Sequence, residues 1–442
     1  MILPPPKLER RLQKRHHKLV LEHVNLNSEI AAGIRALPGE GQNFASTQAA
    51  WRFYANPKVT LKALGEPLLK VGRDLATGEC QRYALIVHDW SNLCYQNQQQ
   101  LKPDLIELGH QNHGYELLGS LLVSDQTGMP LGMLGLSLTS SNGVHSVWHD
   151  KPQARQAPLD DLSETMTHLR AAQLPLPLVH IIDRESNSVW HWRWWDGRGD
   201  LLLSRTSADR HARWQGRRLR LHEIAQELTW RPDKVVAVSA RLQAQAFVAE
   251  TSVSFTDPAY RRGPDGQRRL IKGAPVNLRL IVVQLRLPDE TIVAEWYLAT
   301  NLPSQVTASV LTEWYYWRWT IESVTKLYKS AGLHLEQWQQ ETAQATAKRL
   351  LVAAMACVLV WEVQRTDTPQ MEEFRQLLLR LSGRQIKAGQ ATAPALLSGL
   401  WTLLAMLDAL QKYDLKELLE LASLLPVETM LKQVKLRQGF SP

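Results

Sequence analysis

The pattern of apolar and polar positions changes character several times along the chain. Between residues 7 and 38, Leu12, Leu19, Val20, Val24, Ile30 and Ile34 recur at helical spacings and stop at a Pro38-Gly39 break, predicting one or two helices. A second helical stretch, capped near Ser46-Thr47, runs to Asn56-Pro57, and a third starts around Thr60. The pattern then shifts to strands. Tyr83 to His88 is an almost unbroken apolar run ending on Asp89, as expected of a strand covered on both faces. Tyr115–Ser124 and Leu131–Leu138 flank the turn signal Asp125–Pro130, which predicts a hairpin. After an amphipathic helix over Leu159–Ala172, the run Pro177–Ile182 repeats the earlier feature and ends on Asp183. Residues 200–300 carry further strand-like runs, Leu201–Ser204, Lys234–Ser239 and Val276–Leu287, between Arg-rich and Gly/Pro-rich turns. Helical periodicity returns from Gln305 through Arg365, and the stretch from Met371 is Leu-rich helix.

Composition narrows this picture. The 442 residues are 44% hydrophobic, enough for a sizeable core and two or three domains. Net charge is +8, and the first 70 residues hold 11 Lys/Arg against 5 Asp/Glu, so most of the excess sits in the N-terminal helices. Such a footprint suits a polyanionic partner. Cys80, Cys94 and Cys357 are too widely spaced for a disulfide framework or a paired-cysteine zinc site. The start, MILPPPKLERRLQKRHHK, lacks the apolar core of a signal peptide, and no run is read as long enough for a membrane span. The chain is therefore expected in a reducing cytoplasm, away from membranes.

The candidate chemistry lies in Tyr315 to Lys329, YYWRWTIESVTKLYK, within a predicted helix. Tyr315, Arg318, Glu322, Lys326 and Lys329 recur at three- and four-residue spacings and share one face. A carboxylate among cations and a phenol can hold a metal while clamping a phosphate backbone. Phosphodiester chemistry needs charge neutralised on the scissile phosphate, which two Mg²⁺ ions about 4 Å apart supply. Mg²⁺ takes hard oxygen ligands, so carboxylates are the residues to seek. Asp89 and Asp183 at strand ends and Glu322 on a helix provide three, the distribution a ribonuclease-H-like core needs.

The basic run Arg205–Arg220, with Arg205 at its head, is a candidate phosphate contact, and Arg52 and Lys58 sit in the basic N-terminal module. His16-His17, His110 and His113 lack supporting ligands and read as surface or structural histidines. Of the sixteen Trp residues, those of His191-Trp192-Arg193-Trp194-Trp195 are as well suited to a core as to base stacking.

The segment Y-x₂-R-x₃-E-x₆-K, met by Tyr315, Arg318, Glu322 and Lys329, resembles the signature of the DDE-type bacterial transposases of the insertion sequence four family. HDWSNLCY around Asp89, IIDRESN from Asp183 to Glu185, and WRFYANPKV from Trp51 follow in that family's order. The resemblance spans most of the chain and is weakest after about residue 365. Thr320 departs from it, standing where a close relative carries Arg.

The resemblance implies an α/β ribonuclease-H-like fold, a mixed five-stranded sheet with helices, interrupted by a β-rich insertion at about 190–305. Residues 1–70 would form a helical DNA-end-binding domain, 71–370 the catalytic domain, and 371–442 a helical C-terminal domain making protein contacts. Asp89, Asp183 and Glu322 would be the catalytic ligands of two Mg²⁺ ions, with Mn²⁺ able to substitute. Tyr315, Arg318 and Lys329 would grip the end phosphates, joined on the same face by Lys326. Trp296, and with it Trp319, would stack a flipped base during hairpin formation, since a π-face replaces lost stacking worth about 1 to 3 kcal/mol per base.

The implied activity is cut-and-paste transposition. Terminal inverted repeats of double-stranded DNA are bound and cut, and the 3′ ends join target DNA, with a homodimer assembled on the two ends at the bacterial nucleoid. A ribonuclease-H-like nuclease that cuts without joining is one alternative, and a non-catalytic DNA-binding descendant is another. Joining activity separates the first, and unimpaired function of an Asp89→Ala variant would favour the second.

Overall fold

The computed structural model describes residues 3–25, 43–109, 112–237, 243–262, 267–384 and 391–423. Three helices open the chain, α1 (Arg10–Asn25), α2 (Asn43–Ala55) and α3 (Leu61–Glu79). Then come β1 (Ala84–Cys94), β2 (Ile106–Glu107), β3 (His113–Ser124), β4 (Pro130–Ser140), β5 (Gly143–Ser146), α4 (Pro158–Ala171), β6 (Leu178–Ile182), α5 (Val189–Gly197) and β7 (Leu201–Thr206). A β-rich stretch follows: β8 (His211–Trp214), β9 (Arg217–Arg220), α6 (Leu221–Gln226), β10 (Arg231–Ala237), β11 (Gln243–Phe255), β12 (Ala259–Arg262), β13 (Arg268–Ile271), β14 (Val276–Arg286) and β15 (Ile292–Thr300). Helices close it: α7 (Ala308–Tyr316), α8 (Trp319–Lys329), α9 (Ala343–Arg365), α10 (Pro369–Leu381), α11 (Ala393–Lys412) and α12 (Leu415–Ser423). The fold is mixed α/β. Ile30, Ile34, the Pro38-Gly39 break, His110 and the end of the Lys234–Ser239 run lie outside the described residues.

One sheet runs through the molecule in the order β5-β4-β3-β1-β6-β7-β15-β14-β11-β8-β9. β3 and β4 form the antiparallel hairpin the turn signal predicts, while β1, β6 and β7 are mutually parallel. The expected five-stranded sheet is therefore too small. Thirteen strands join, because β15 pairs antiparallel with the otherwise open edge of β7, Tyr297 opposite Thr206 through Thr300 opposite Leu203. An uncovered edge is a template for such pairing, and a β14–β15 hairpin satisfies it. The expected β-rich stretch at about 190–305 opens instead on helix α5, and β7 is a direct parallel neighbour of β6. Likewise α3 crosses residue 70 and packs on β4, so helical module and sheet share a continuous helix.

Alternate residues of β1 enter different clusters: Leu85 and Val87 belong to the one that holds the core residues of α9, whereas Ala84 and Ile86 belong to one that includes Leu169 of α4. Both faces are covered, which is why the segment reads as continuous rather than alternating apolar. The entry to β1 is fixed by Asp125 of the hairpin turn, whose carboxylate accepts the backbone N–H of Gln81, Arg82 and Tyr83 at 2.8, 2.9 and 3.0 Å. Trp192 and Trp195 of α5 are core residues, while Trp194 is exposed with the Arg198 guanidinium 4.4 Å over its ring.

Against the expectation that no run is long enough, α9 and α11 are long and apolar enough to cross a membrane by length and composition. In α9, 83% of the apolar window is buried inside the protein, and its residues are apolar all round because neighbours surround it. In α11 only 22% is buried, and Met406, Leu407 and Leu410 are exposed.

Among the six histidines buried in the described residues, His16, His23, His88 and His180 are the most strongly shifted. Burial, with His17 adding, pulls His16 down to about 4; burial, with Arg349 adding, pulls His23 down to about 3. Burial holds His180 near about 4, and burial with the His180 neighbour takes His88 well below its ordinary value. Unfolded, each binds a proton below pH 6.5, so the unfolded state gains protons first and stability falls as pH drops from 6.5 toward 4. Asp89 and Asp161, both pushed up to about 7 chiefly by burial, work in the opposite direction, as do the raised carboxyls of Glu22 and Glu185. With His145 and His168 also lowered by burial, the six lowered histidines outweigh the four acids, so metal-free stability is expected to fall as pH drops from 6.5 to 5. Urea midpoints measured in EDTA check this; a midpoint constant or rising over that range contradicts it.

Candidate active site

Asp89 and Asp183 become neighbours through register. In the parallel pairing of β1 with β6, His88 lies opposite Ile182, so each aspartate is the next residue beyond the last pair. The two differ in setting. Asp183 follows β6 and caps a short 3-10 turn, Arg184–Ser186, its carboxylate accepting the Arg184 N–H. Asp89 is not at a strand end, as its sequence setting predicts, because β1 continues beside β3 to Cys94 opposite Gly114. Beneath them His88 Nε2 and His180 Nδ1 are 2.9 Å apart, and His88 Nδ1 meets Ser120 Oγ at 2.9 Å. These buried rings join the two strands just before the carboxylates.

Glu322 arrives from the helical side, but not on one continuous helix. The segment breaks at Trp317-Arg318, where the Arg318 and Ile321 N–H groups donate to Tyr315 and Arg318 carbonyls three residues back. Such tightening turns the axis between α7 and α8. Ile321, Val324 and Tyr328 form the buried stripe of α8, which packs on β1.

The turn is set by Gly128 in the β3–β4 hairpin. Its φ of +67° is a left-handed conformation, its carbonyl accepts the Thr320 hydroxyl at 3.1 Å, and an added Cβ would lie 2.5 Å from Cγ of the Trp317 ring. Gly128→Ala is accordingly expected to cost about 2 to 4 kcal/mol, from backbone strain plus overpacking against a rigid ring. Chemical denaturation checks it; a loss below about 0.5 kcal/mol would show that the turn relaxes freely.

The three acids meet on one guanidinium. Arg318, only 3% exposed, lies 2.7 Å from Glu322 Oε1 and 3.5 Å from Asp183 Oδ2 through Nη2, and 3.9 Å from Asp89 Oδ1 through Nη1. Its Nε is buried with no hydrogen-bond partner. Burial would lower its pKa, but Tyr315, Asp183 and Glu322 together hold it above the ordinary value. Tyr315 donates its hydroxyl to Asp183 Oδ1 at 3.2 Å; burial and the Asp183 charge push the phenol up, against a smaller pull from Arg318 and Arg205. Burial raises the Asp89 carboxyl to about 7; Arg318 opposes this, and Glu322, Glu185 and Asp183 add to it. Glu185 is a fourth acid at this locus, raised by burial and then by Asp183 and Glu116.

The remaining sequence candidates are dispersed around this centre. Lys326 is exposed, and Trp319, 52% exposed, lies 5.1 Å from the Arg318 guanidinium. Lys329 is tied inward, donating to the Asn92 carbonyl at 2.7 Å and pairing with Glu336 at 3.0 Å. Glu336 also accepts the Cys94 N–H, a link between β1 and the segment after α8 that no sequence spacing signals. Trp296 is half-buried on β15, its ring 6.0 Å from that of Tyr315. Arg205 is half-buried on β7, opposite Leu298.

At the other end, Arg52 joins Arg11, Lys14, Arg15 and Lys18 around a cavity of about 460 Å³ between α1 and α2, whereas Lys58 pairs with Glu9 at 2.9 Å. His16 is buried rather than superficial, and His113 meets Gln99 Nε2 at 3.2 Å. The three cysteines are free thiols.

No protein-family model matches the chain, and no curated protein matches it. The functional reading thus rests on the residues and their geometry.

The donor set suits a hard divalent ion: carboxylates without ring nitrogen or thiol, gathered around one buried guanidinium. In the arrangement described, the acids are spread around Arg318 rather than closed on one point. Among the described residues only His149, Glu164 and His168 bring three ligand atoms within 4.8 Å of one another.

Proposed function

We propose that this protein is a metal-dependent DNA transposase with a ribonuclease-H-like core, in which Asp89, Asp183 and Glu322 are the metal ligands. The observation that carries the reading is the meeting of carboxylates from two parallel neighbouring strands and a separate helix on one buried arginine. Ordinary surface acids are paired locally, whereas these three are about 90 and 140 residues apart in sequence and share a single cation.

Two Mg²⁺ ions held by these carboxylates would neutralise the scissile phosphate and activate the attacking oxygen, with Mn²⁺ able to substitute. The chain's own groups do the rest. Tyr315 orients Asp183 by its hydrogen bond, and Arg318, with a buried donor unused, offers a fork suited to a phosphate oxygen. Lys326 and the exposed face of Trp319 are available to DNA beside the acids, the latter as a stacking surface. Trp296, packed near Tyr315, is less open to a base in this conformation. The basic cavity around Arg52 supports phosphate contact by the N-terminal helices, with terminal inverted repeats as the ligand. Exchange of one phosphodiester for another needs positioning and charge neutralisation but no separate energy source. Two ends cut in concert call for a homodimer on DNA.

The test is Mg²⁺-dependent cleavage of linear DNA carrying the ends that flank the coding region, followed by joining to a supplied target. Cutting at the boundary with joining supports transposition. Cutting without joining assigns a nuclease, and binding without either in Mg²⁺ or Mn²⁺ assigns a non-catalytic DNA-binding protein.

A further inference from the structure

A second cluster, chemically unlike the acidic one, lies where the segment after β5 meets α4. Glu164 and His168 stand one turn apart on α4, and His149 reaches them from the preceding loop. His149 Nε2 is 2.6 Å and His168 Nε2 is 3.8 Å from the same carboxylate oxygen, Glu164 Oε1. All three side chains are between a quarter and two-fifths exposed, so the cluster opens to solvent without being freely mobile. The Trp148 ring stacks on His168 with centroids 5.1 Å apart and planes 7° from parallel, and its Nε1 donates to Thr165 Oγ1 at 3.3 Å. The His168 ring is thereby held in orientation by a neighbour that is itself anchored to the same helix.

We propose that His149, Glu164 and His168 bind a transition-metal dication of the Zn²⁺ class. Two imidazole nitrogens and one carboxylate form a donor set for zinc and not for Mg²⁺, which prefers an all-oxygen shell. The geometry is close to what such an ion needs. Ligand atoms at zinc distances of about 2.1 Å in a tetrahedron stand about 3.4 Å apart, and the separations of 2.6 and 3.8 Å bracket that value. Small side-chain rotations therefore admit the ion with no change in the path of α4. Three protein ligands leave one coordination position for water. The consequence is a staple: the metal ties the β5–α4 connection to α4, whose Leu169 belongs to the same buried cluster as Ile86 of β1. This inference does not depend on the proposed transposase activity, because it uses neither the acidic residues nor DNA.

Zinc titration of the metal-free full-length protein in excess Mg²⁺, followed by calorimetry, is the direct test. One Zn²⁺ per chain with sub-micromolar affinity is expected, lost by about 100-fold or more in His149→Ala/His168→Ala and retained in Asp89→Asn. Co²⁺ in place of zinc should give the intense visible absorption of a four-coordinate ion. Failure of the wild type to take up one equivalent, equal affinity in the double variant, or a weak six-coordinate Co²⁺ spectrum would overturn the proposal. Near-ultraviolet circular dichroism establishes that the double variant is folded; if it is not, His149→Ala alone, altering only the loop ligand, replaces it, with a loss of about 10-fold or more expected. Unchanged affinity in that variant also counts against the site.

Discussion

Asp89→Asn, Asp183→Asn and Glu322→Gln are each expected to lower Mg²⁺-dependent strand cleavage by about 10³-fold or more, while binding of end DNA changes by less than about threefold. A carboxylate that holds a catalytic ion supplies several kcal/mol of transition-state stabilisation, and each 1.36 kcal/mol is tenfold in rate. These isosteric changes remove charge without opening a cavity. At Asp89 the change also removes a disfavoured charge, since burial, and then Glu322, Glu185 and Asp183, raise its carboxyl. The Asp89→Asn protein should therefore be no less stable than wild type in EDTA. Single-turnover cleavage and a gel-shift titration on the same DNA separate chemistry from binding. Cleavage within tenfold of wild type in any of the three would remove that residue from the metal set. Loss of binding in parallel with cleavage would mean that it acts through the fold.

How much of this was legible in the sequence depends on how local the cause is. The strand before Asp89 and the one before Asp183 are visible because burial on both faces makes them continuously apolar, and the β3–β4 turn is visible in Asp125–Pro130. The continuation of β1 past Asp89 is not, because Trp90 to Cys94 mixes polar and apolar residues and only the β3 ladder keeps it extended. The union of β7 with β15 is long-range pairing of two edges, with no cue in either strand. Helical spacing correctly groups Arg318 with Glu322, but the break at Trp317 depends on Gly128, almost two hundred residues upstream. The spacing of Glu164 and His168 was equally readable; His149, fifteen residues before Glu164, shares no period with them, and the cluster emerges only in three dimensions.

Arg318→Ala carries the second large expectation, a loss of about 3 kcal/mol of stability in EDTA that divalent cations restore. Removing one partner of a buried ion pair typically costs 3 to 5 kcal/mol, because the remaining charges are left uncompensated. Here the remaining charges are three carboxylates with 21 to 30% side-chain exposure, which places the cost toward the lower end of that range. Ca²⁺, a non-catalytic probe for hard-oxygen sites, should stabilise the variant more than the wild type, since the guanidinium no longer competes for the same oxygens. Binding at 100 times Kd contributes about 2.7 kcal/mol, close to the expected deficit. Arg318→Lys should fall between the two, keeping a charge but not the fork that spans Glu322 and Asp183. Urea denaturation of the three proteins with and without Ca²⁺ measures all of this. A variant destabilised as expected but indifferent to Ca²⁺ would mean that the acids serve to seat Arg318 and do not form a cation site. A variant rescued by Ca²⁺ would mean that the arginine occupies, in the metal-free protein, the position the acids are arranged to give to metal.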